Sequence, residues 1–346
     1  MKFPYGTSDF NKIITKGYFY CDRTDRIETL EEAGDSILFL RPRRFGKSLL
    51  LSMLANYYDL AKADSFEKLF GKLLIGKNPT DLHNKYFILR WDFSRVNPLG
   101  SAEDIKISLY NHINRTIKRF IMYYKDYNFA EIEINREDAL DSIASLIDTV
   151  SMTDYSIYLL IDEYDNFANE VMMSTGKNKN NYEALVYGDG LLKTLFKVIK
   201  SSAGESLIDR TFITGVSPVV MSDITSGYNI AKNIYLKPQL NDLCGFTEKE
   251  IEDTFAKFNS VWFDGNLKSV ELELVANAKL YAQRNLSKNS TVISQDDETL
   301  TISFEYYNSA EVLSFVKGWL PDIKIIDNKP LEDELKELMQ RYLQSI

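Results

Sequence analysis

Cysteine and histidine are scarce in this chain: Cys21, Cys244, His83 and His112 are all there are in 346 residues. No two of them stand at a metal-ligand spacing such as C-x-x-C or H-x-x-x-H, which argues against a zinc site and against a disulfide framework. Long apolar runs are missing as well. No stretch approaches the roughly 18 apolar residues of a membrane span. The opening "MKFPYGTSDF" lacks the charged and apolar regions of a secretory signal. These absences predict a cytoplasmic protein with no membrane partner.

Positive charge is also in deficit. The formal net charge is −9, with 41 Lys and Arg against 50 Asp and Glu. Residues 239–346 hold 11 basic and 19 acidic side chains, so nearly all of the excess lies toward the C-terminal end. An acidic surface repels phosphate backbones, so nucleic acid is not an expected partner of this chain alone. Tyrosine and phenylalanine are abundant, but they lie on apolar faces without the basic interleaving that single-strand binding needs, and they read as packing residues.

What is present is an alternation of strand-like and helix-like segments. Apolar β-leaning runs occur at 36–40 (SILFL), 85–91, 155–161, 210–214 and 233–236. Between them, 47–60, 102–124, 136–151 and 181–203 carry apolar residues at three- and four-residue spacing. Continuous apolar strands between amphipathic helices predict a parallel sheet covered on both faces, an α/β three-layer sandwich of about five strands. Residues 172–190 read as a surface loop leading into a helix, and 285–304 as an exposed loop or hairpin. From "LCGFT" onward the pattern changes, and Thr247 with Glu250 resembles a capping box. This predicts a boundary after residue 242 and a small, mainly helical region over 243–346.

The stretch "FLRPRRFGKSLL" (39–50) holds Gly46-Lys47-Ser48 after a strand and at the start of a helix, the setting in which this tripeptide binds phosphate. Amides of Arg43, Arg44, Phe45, Gly46, Lys47, Ser48 and Leu49 would point at phosphate oxygens, helped by the positive end of the helix. Lys47 would reach the β- and γ-phosphates and Ser48 would ligate Mg²⁺. Arg41 stands where the common motif has glycine, and Pro42 removes one N–H donor. Arg43 and Arg44 either add charge near the phosphates or face solvent.

A second element, "IYLLIDEYD" (157–165), is a buried strand ending in acids, about 115 residues after the loop. It offers Asp162 to the Mg²⁺ shell and Glu163 to a water that attacks the γ-phosphate. Thr214, at the end of "RTFIT", would sense the γ-phosphate or orient water, unless it satisfies backbone. Asp92 ends the second strand and is a secondary candidate.

These blocks resemble the AAA-ATPase-like family of bacterial and archaeal proteins. The N-terminal "FPYGTSDFNKIITKGYFYCDRTDRIETL", with Gly6, Asp9, Phe10, Asp22 and Thr24, is similar to the family's first block. "RPRRFGKSLLLSML" is similar to its loop, in which arginine is usual at position 41. "DFS" (92–94), "LLIDEYD" (159–165), "FITGVSP" (212–218) and "LCGFTEKEI" (243–251) follow in order. "VWFDG" (261–265) and "YYNSAEVLSF" (306–315) resemble two blocks of its lid region, spaced widely enough to imply an insertion near 266–303. The resemblance covers about residues 3–316. It implies a P-loop NTPase fold with a helical C-terminal lid, ATP and Mg²⁺ as ligands, and ATP hydrolysis. Phe10 becomes a candidate to pack beside the adenine, with a core role as the alternative. Family members often carry a nuclease-like domain of the PD-(D/E)XK type, for which no motif occurs in this chain.

The expected function is therefore a Mg²⁺-dependent ATPase, with a homo-oligomer or a protein partner open. The alternative is a nucleotide-dependent switch with little hydrolysis, one that regulates a nuclease-type partner. Arg210, Arg115 and Arg119 are the arginines considered for a finger.

Overall fold

The computed structural model describes residues 2–127, 129–173, 179–186, 190–205, 207–224, 228–255, 267–284, 286 and 289–344. Two compact units result, Lys2–Gly245 and Phe246–Ile346.

In the first unit β1 (Ser36–Leu40), β2 (Tyr86–Asp92), β3 (Ser156–Asp162), β4 (Ile208–Gly215) and β5 (Lys232–Asn233) form an all-parallel sheet in the order β2-β3-β4-β1-β5. β1 and β3 are apolar along most of their length because both faces are covered, while β5 is two exposed residues that meet the expected run at 233–236 only at Asn233. Leu38, Leu40, Leu159 and Ile161 pack with residues of the helices Ala102–Tyr123, Ala139–Ser151 and Leu191–Gly204. Ile37, Phe39, Tyr158 and Leu160 pack on the other side, with residues of Phe10–Thr15, Arg26–Ala33 and Lys47–Tyr58. The period-two alternation of each strand thus feeds two separate cores. Among the described residues no helix is long and apolar enough to cross a membrane.

The register decides what meets at the strand ends. Asp92 pairs with Asp162, and Leu40 with Gly215. The carboxyl ends of all the strands therefore open on one edge, where ligands bind in sheets of this kind. β4 lies between the loop-bearing β1 and the acid-bearing β3, and β2, the strand between the two motifs in the chain, lies at the edge of the sheet. The expected helix over 181–203 is instead two, Lys179–Val186 and Leu191–Gly204, the second capped by Gly190. Part of the expected loop over 172–190 lies outside the described residues.

The second unit corrects the mainly helical expectation. β6 (Lys268–Val275), β7 (Ser290–Gln295), β8 (Thr299–Tyr306) and β9 (Ile323–Ile325) form an antiparallel sheet in the order β7-β8-β6-β9. The helices Ala276–Arg284 and Ser309–Trp319 connect β6 to β7 and β8 to β9, a βαββαβ arrangement of the ferredoxin-like type. The reason is period-two patterning: Val270, Leu272 and Leu274 are buried while Ser269, Glu271 and Glu273 are not, and Leu300, Ile302, Phe304 and Tyr306 repeat this on β8. Residues 268–303, expected as an insertion, supply most of this sheet. The β7–β8 turn is tied by Asp296, which accepts hydrogen bonds from the Glu298 and Thr299 amides and the Thr299 hydroxyl. The "VWFDG" block lies outside the described residues.

Candidate functional site

β1 delivers the loop, and Arg41 fastens its first residue. The Arg41 N–H donates to Gly215 O, extending the β1–β4 pairing by one bond. Its guanidinium donates to the carbonyls of Leu40, Tyr235 and Asn241 at 3.0 Å each and to Asn241 Oδ1 at 3.2 Å, and lies 4.8 Å from the Phe39 ring centre. The arginine in the usual glycine position is a clamp between the loop and the segment after β5. Arg41→Gly, which restores the common motif, is expected to lower stability by about 1–3 kcal/mol through these lost charge-assisted bonds. A thermal melt matching the parent would show that the clamp contributes nothing.

Past Pro42 the backbone turns through two left-handed residues, Arg44 at φ 69° and Gly46 at φ 93°. Gly46 is the N-cap of the helix Lys47–Tyr58. An added Cβ there would touch nothing, so it is the dihedral that calls for glycine at this position. The main-chain N–H groups of residues 43–49 have no acceptor among the described residues. They form a row of unpaired donors at the positive end of a helix.

Lys47 is 5% exposed and donates from Nζ to the carbonyls of Arg41 (2.9 Å) and Pro42 (3.0 Å). Burial lowers its pKa, against the opposing pull of Glu163, Asp162 and Asp165. The loop lysine and the β3 acids therefore share one electrostatic environment. Ser48 is half-buried, and its hydroxyl has no partner among the described residues. Arg43 donates to Asn166 Oδ1 at 3.1 Å. Arg44 and Phe45 are exposed, and the Leu49 side chain packs against the core, so Leu49 can offer a ligand only its amide.

β3 ends in a buried carboxylate. Asp162 is 3% exposed; Thr214 donates its hydroxyl to Oδ1 at 2.7 Å, and Arg90 Nη2 lies 3.4 Å from Oδ2. Thr214 is fully buried and acts on Asp162, so its contact here is with the metal-ligand candidate. Glu163, next in the chain, has φ 52°, an uncommon conformation for a non-glycine residue and one that gathers at functional sites. Burial and the Asp162 charge push its carboxyl above the usual glutamate range, with Lys47 opposing.

Two residues that sequence reasoning passed over hold this turn. Asp165, 1% exposed, accepts from the Val216 and Ser217 amides and from Asn169 Nδ2. Tyr164 donates its hydroxyl to Ser217 O at 2.6 Å. The second aspartate of "DEYD" was the available signal. A Cβ at Gly215 would come within 2.5 Å of the Tyr164 ring and 2.7 Å of Asp165 Oδ1. Gly215→Ala is therefore expected to destabilise the first unit by about 1–3 kcal/mol. Calorimetric melting checks this, and an unchanged Tm would mean the pair yields freely.

Asp92 caps the turn after β2. Burial would raise its pKa, but hydrogen bonds from Ser94 and from Arg95 Nε (2.9 Å) outweigh it and the carboxyl stays below its usual range. Arg90, also missed, shares a face of β2 with Asp92 by the i, i+2 rule, and that spacing could have revealed it. Arg210 sits near the start of β4, roughly 13 Å along the strand from Thr214, and pairs with Asp35 at 3.2 Å, which removes it as a finger. Arg115 is exposed and donates to Asn111 O in its own helix. Phe10 is fully buried and stacks on Phe70 at 5.0 Å, so it is a core residue and faces no base. Asp9 caps its helix, and Asp22 with Thr24 accept from the Leu74 and Ile75 amides, a structural job for that block.

A protein-family model described as "Predicted AAA-ATPase" matches residues 4–225, well over half of the chain, including the loop, Asp162, Glu163 and Thr214. This match stops short of the 3–316 that the motifs suggested. A protein of Azotobacter chroococcum mcd 1, described as an uncharacterized protein in the vnfD 5′ region, is 27% identical over 267 residues. That similarity takes in 74% of this chain and 45% of the relative, so the chain spans less than half of the relative's length.

Proposed function

The chain belongs to the AAA-ATPase-like family, and from that membership we propose that it is a Mg²⁺-dependent ATPase whose site is the edge where β1, β3 and β4 end. The observation that most supports this is the row of seven amides, Arg43 to Leu49, without acceptors at a helix N-terminus beside a buried ammonium. Such a concave array of donors matches the oxygens of a polyphosphate.

In this reading the amides and Lys47 bind the phosphates, and Lys47 leaves the Arg41 and Pro42 carbonyls to do so. Ser48 and Asp162 would hold Mg²⁺. They suit it: both line one cleft, Ser48 has a free hydroxyl, and Asp162 is fixed on one oxygen by Thr214 while its other is approached at 3.4 Å. Among the described residues there is no group of three or more His, Cys, Asp or Glu that would cage a metal. Mg²⁺ needs none, since it takes one or two carboxylates and completes its shell from phosphate and water. When bound, Mg²⁺·ATP supplies the transferable phosphoryl group and the charge that offsets its oxygens. Glu163 orients water and accepts its proton, which requires the ionised carboxylate. Thr214 keeps Asp162 aimed.

Titration calorimetry with ATP and GTP, beside phosphate-release kinetics with and without Mg²⁺, tests the reading. Binding with Mg²⁺-dependent turnover supports it. Binding without turnover would leave a nucleotide-dependent switch, and absence of binding by either nucleotide would overturn the site.

A further inference from the structure

Beside the strand ends a cleft of about 550 Å³ runs along the free edge of β2, between the helices Lys47–Tyr58 and Ala102–Tyr123. Ser48 and Asp162 form part of its wall, so it opens from the place where the terminal phosphate of a nucleotide would lie. Farther along, Arg90, Arg95 and Arg119 line it. Three guanidinium groups in one cleft are anion-recognition chemistry, because each offers a fork of donors and keeps its charge at any working pH.

The edge of β2 adds main-chain donors. The Ile88 N–H donates to Tyr124 Oη at 2.8 Å and the Asp92 N–H to His112 Nε2 at 3.2 Å. By the alternation of the strand, the Arg90 N–H points to the same side between them, and it has no acceptor among the described residues. His112, which also lines the cleft, accepts at Nε2, so its proton sits on Nδ1.

The charges are not all spent. Arg95 pairs with Asp92 at 2.9 Å and Arg90 with Asp162 at 3.4 Å. Arg119 makes no hydrogen bond or ion pair among the described residues. Once Asp162 serves a metal ion, Arg90 loses its ion-pair partner, and the cleft then holds two guanidinium groups, those of Arg90 and Arg119, without an ion pair, against one further lining carboxylate, Asp9, which caps its own helix.

We propose that this cleft is a second anion site, one that takes a phosphate dianion next to the nucleotide. The inference rests on the ATPase reading for the release of Arg90. The phosphate has two sources with one chemistry: orthophosphate leaving after hydrolysis, or the phosphate group of a second, small ligand brought beside the γ-position. Arg119 is the anchor in either case.

The test saturates the full chain with a non-hydrolysable ATP analogue and Mg²⁺, which fills the loop, and then titrates orthophosphate and a sugar phosphate monoester by calorimetry. Arg119→Ala and Arg119→Lys are run beside the parent. The expected result is a phosphate-binding isotherm in the parent, weakened about tenfold or more in Arg119→Ala and partly rescued in Arg119→Lys, with analogue affinity unchanged. Orthophosphate binding as tightly as the monoester identifies the leaving product; tighter binding of the monoester identifies a second ligand. If the analogue binds and neither phosphate does, or if Arg119→Ala binds phosphate like the parent, the inference is overturned while the ATPase reading stands. If the analogue itself does not bind, the ATPase reading fails, and the same two phosphates titrated into the nucleotide-free chain then decide this site by the same Arg119 dependence.

Discussion

Lys47→Ala is expected to remove measurable ATP binding and to lower kcat/KM by about 10²–10³-fold, the loss typical of one preorganised donor aimed at developing charge. The size follows from burial. Lys47 is 5% exposed, and its ammonium already sits in a desolvated pocket over the loop, held by two carbonyls. Its interaction with a phosphate is therefore weakly screened. The same change should leave the fold standing. Burial lowers the Lys47 pKa, so the fold holds its charged form less favourably than water does, and its removal takes away a desolvated charge along with two hydrogen bonds. Calorimetry with ATP, run beside a thermal melt, separates the two: lost binding with a retained Tm fits, whereas retained binding would remove Lys47 from the site.

Glu163→Gln should do the opposite to binding and more to turnover. ATP affinity is expected to stay within a few fold of the parent, and kcat to fall by about 10²–10⁴-fold, the range of a positioned general base. The pH dependence carries the sign. Burial, with the Asp162 charge adding, raises the Glu163 pKa, so its ionised form is reached at higher pH than in an ordinary glutamate. The acid limb of kcat/KM in the parent, which reports the nucleotide-free protein, should lie above the usual carboxylate range and disappear in the variant. A carboxyl whose pKa is raised on folding favours the folded state only when protonated, so at neutral pH the ionised Glu163 opposes stability. The glutamine variant should melt at or above the parent's temperature while losing turnover. Full turnover in Glu163→Gln would assign the water to another residue.

How much of this was legible depended on distance along the chain. Four strand segments of the first unit could be read from their apolar runs because a strand buried on both faces has few polar positions to blur it, whereas the run expected as a strand at 233–236 meets the exposed β5 only at Asn233. Lys47, Ser48, Asp162 and Glu163 were legible because each sits at the junction of a strand with a turn or helix. The second unit was misread at its strands: "KSVELELV" alternates Ser269, Glu271 and Glu273 with Val270, Leu272 and Leu274, and half-exposed strands look polar when the alternation is not counted.

The sequence by itself determined the class of the first unit, the place of the Gly46-Lys47-Ser48 loop between a strand and a helix, and the acids at the end of β3, since these rest on contiguous residues and local periodicity. Only the tertiary structure decided what those residues touch. Arg41 meets the carbonyl and side chain of Asn241, 200 positions on, Arg90 meets Asp162 across 72 positions, and Thr214 meets Asp162 because β4 is inserted between β1 and β3. No local pattern encodes such pairs. They follow from strand order and register, which the burial of two whole faces selects at once, and so a clamp, a counter-charge and an orienting hydroxyl become visible only when the sheet is assembled.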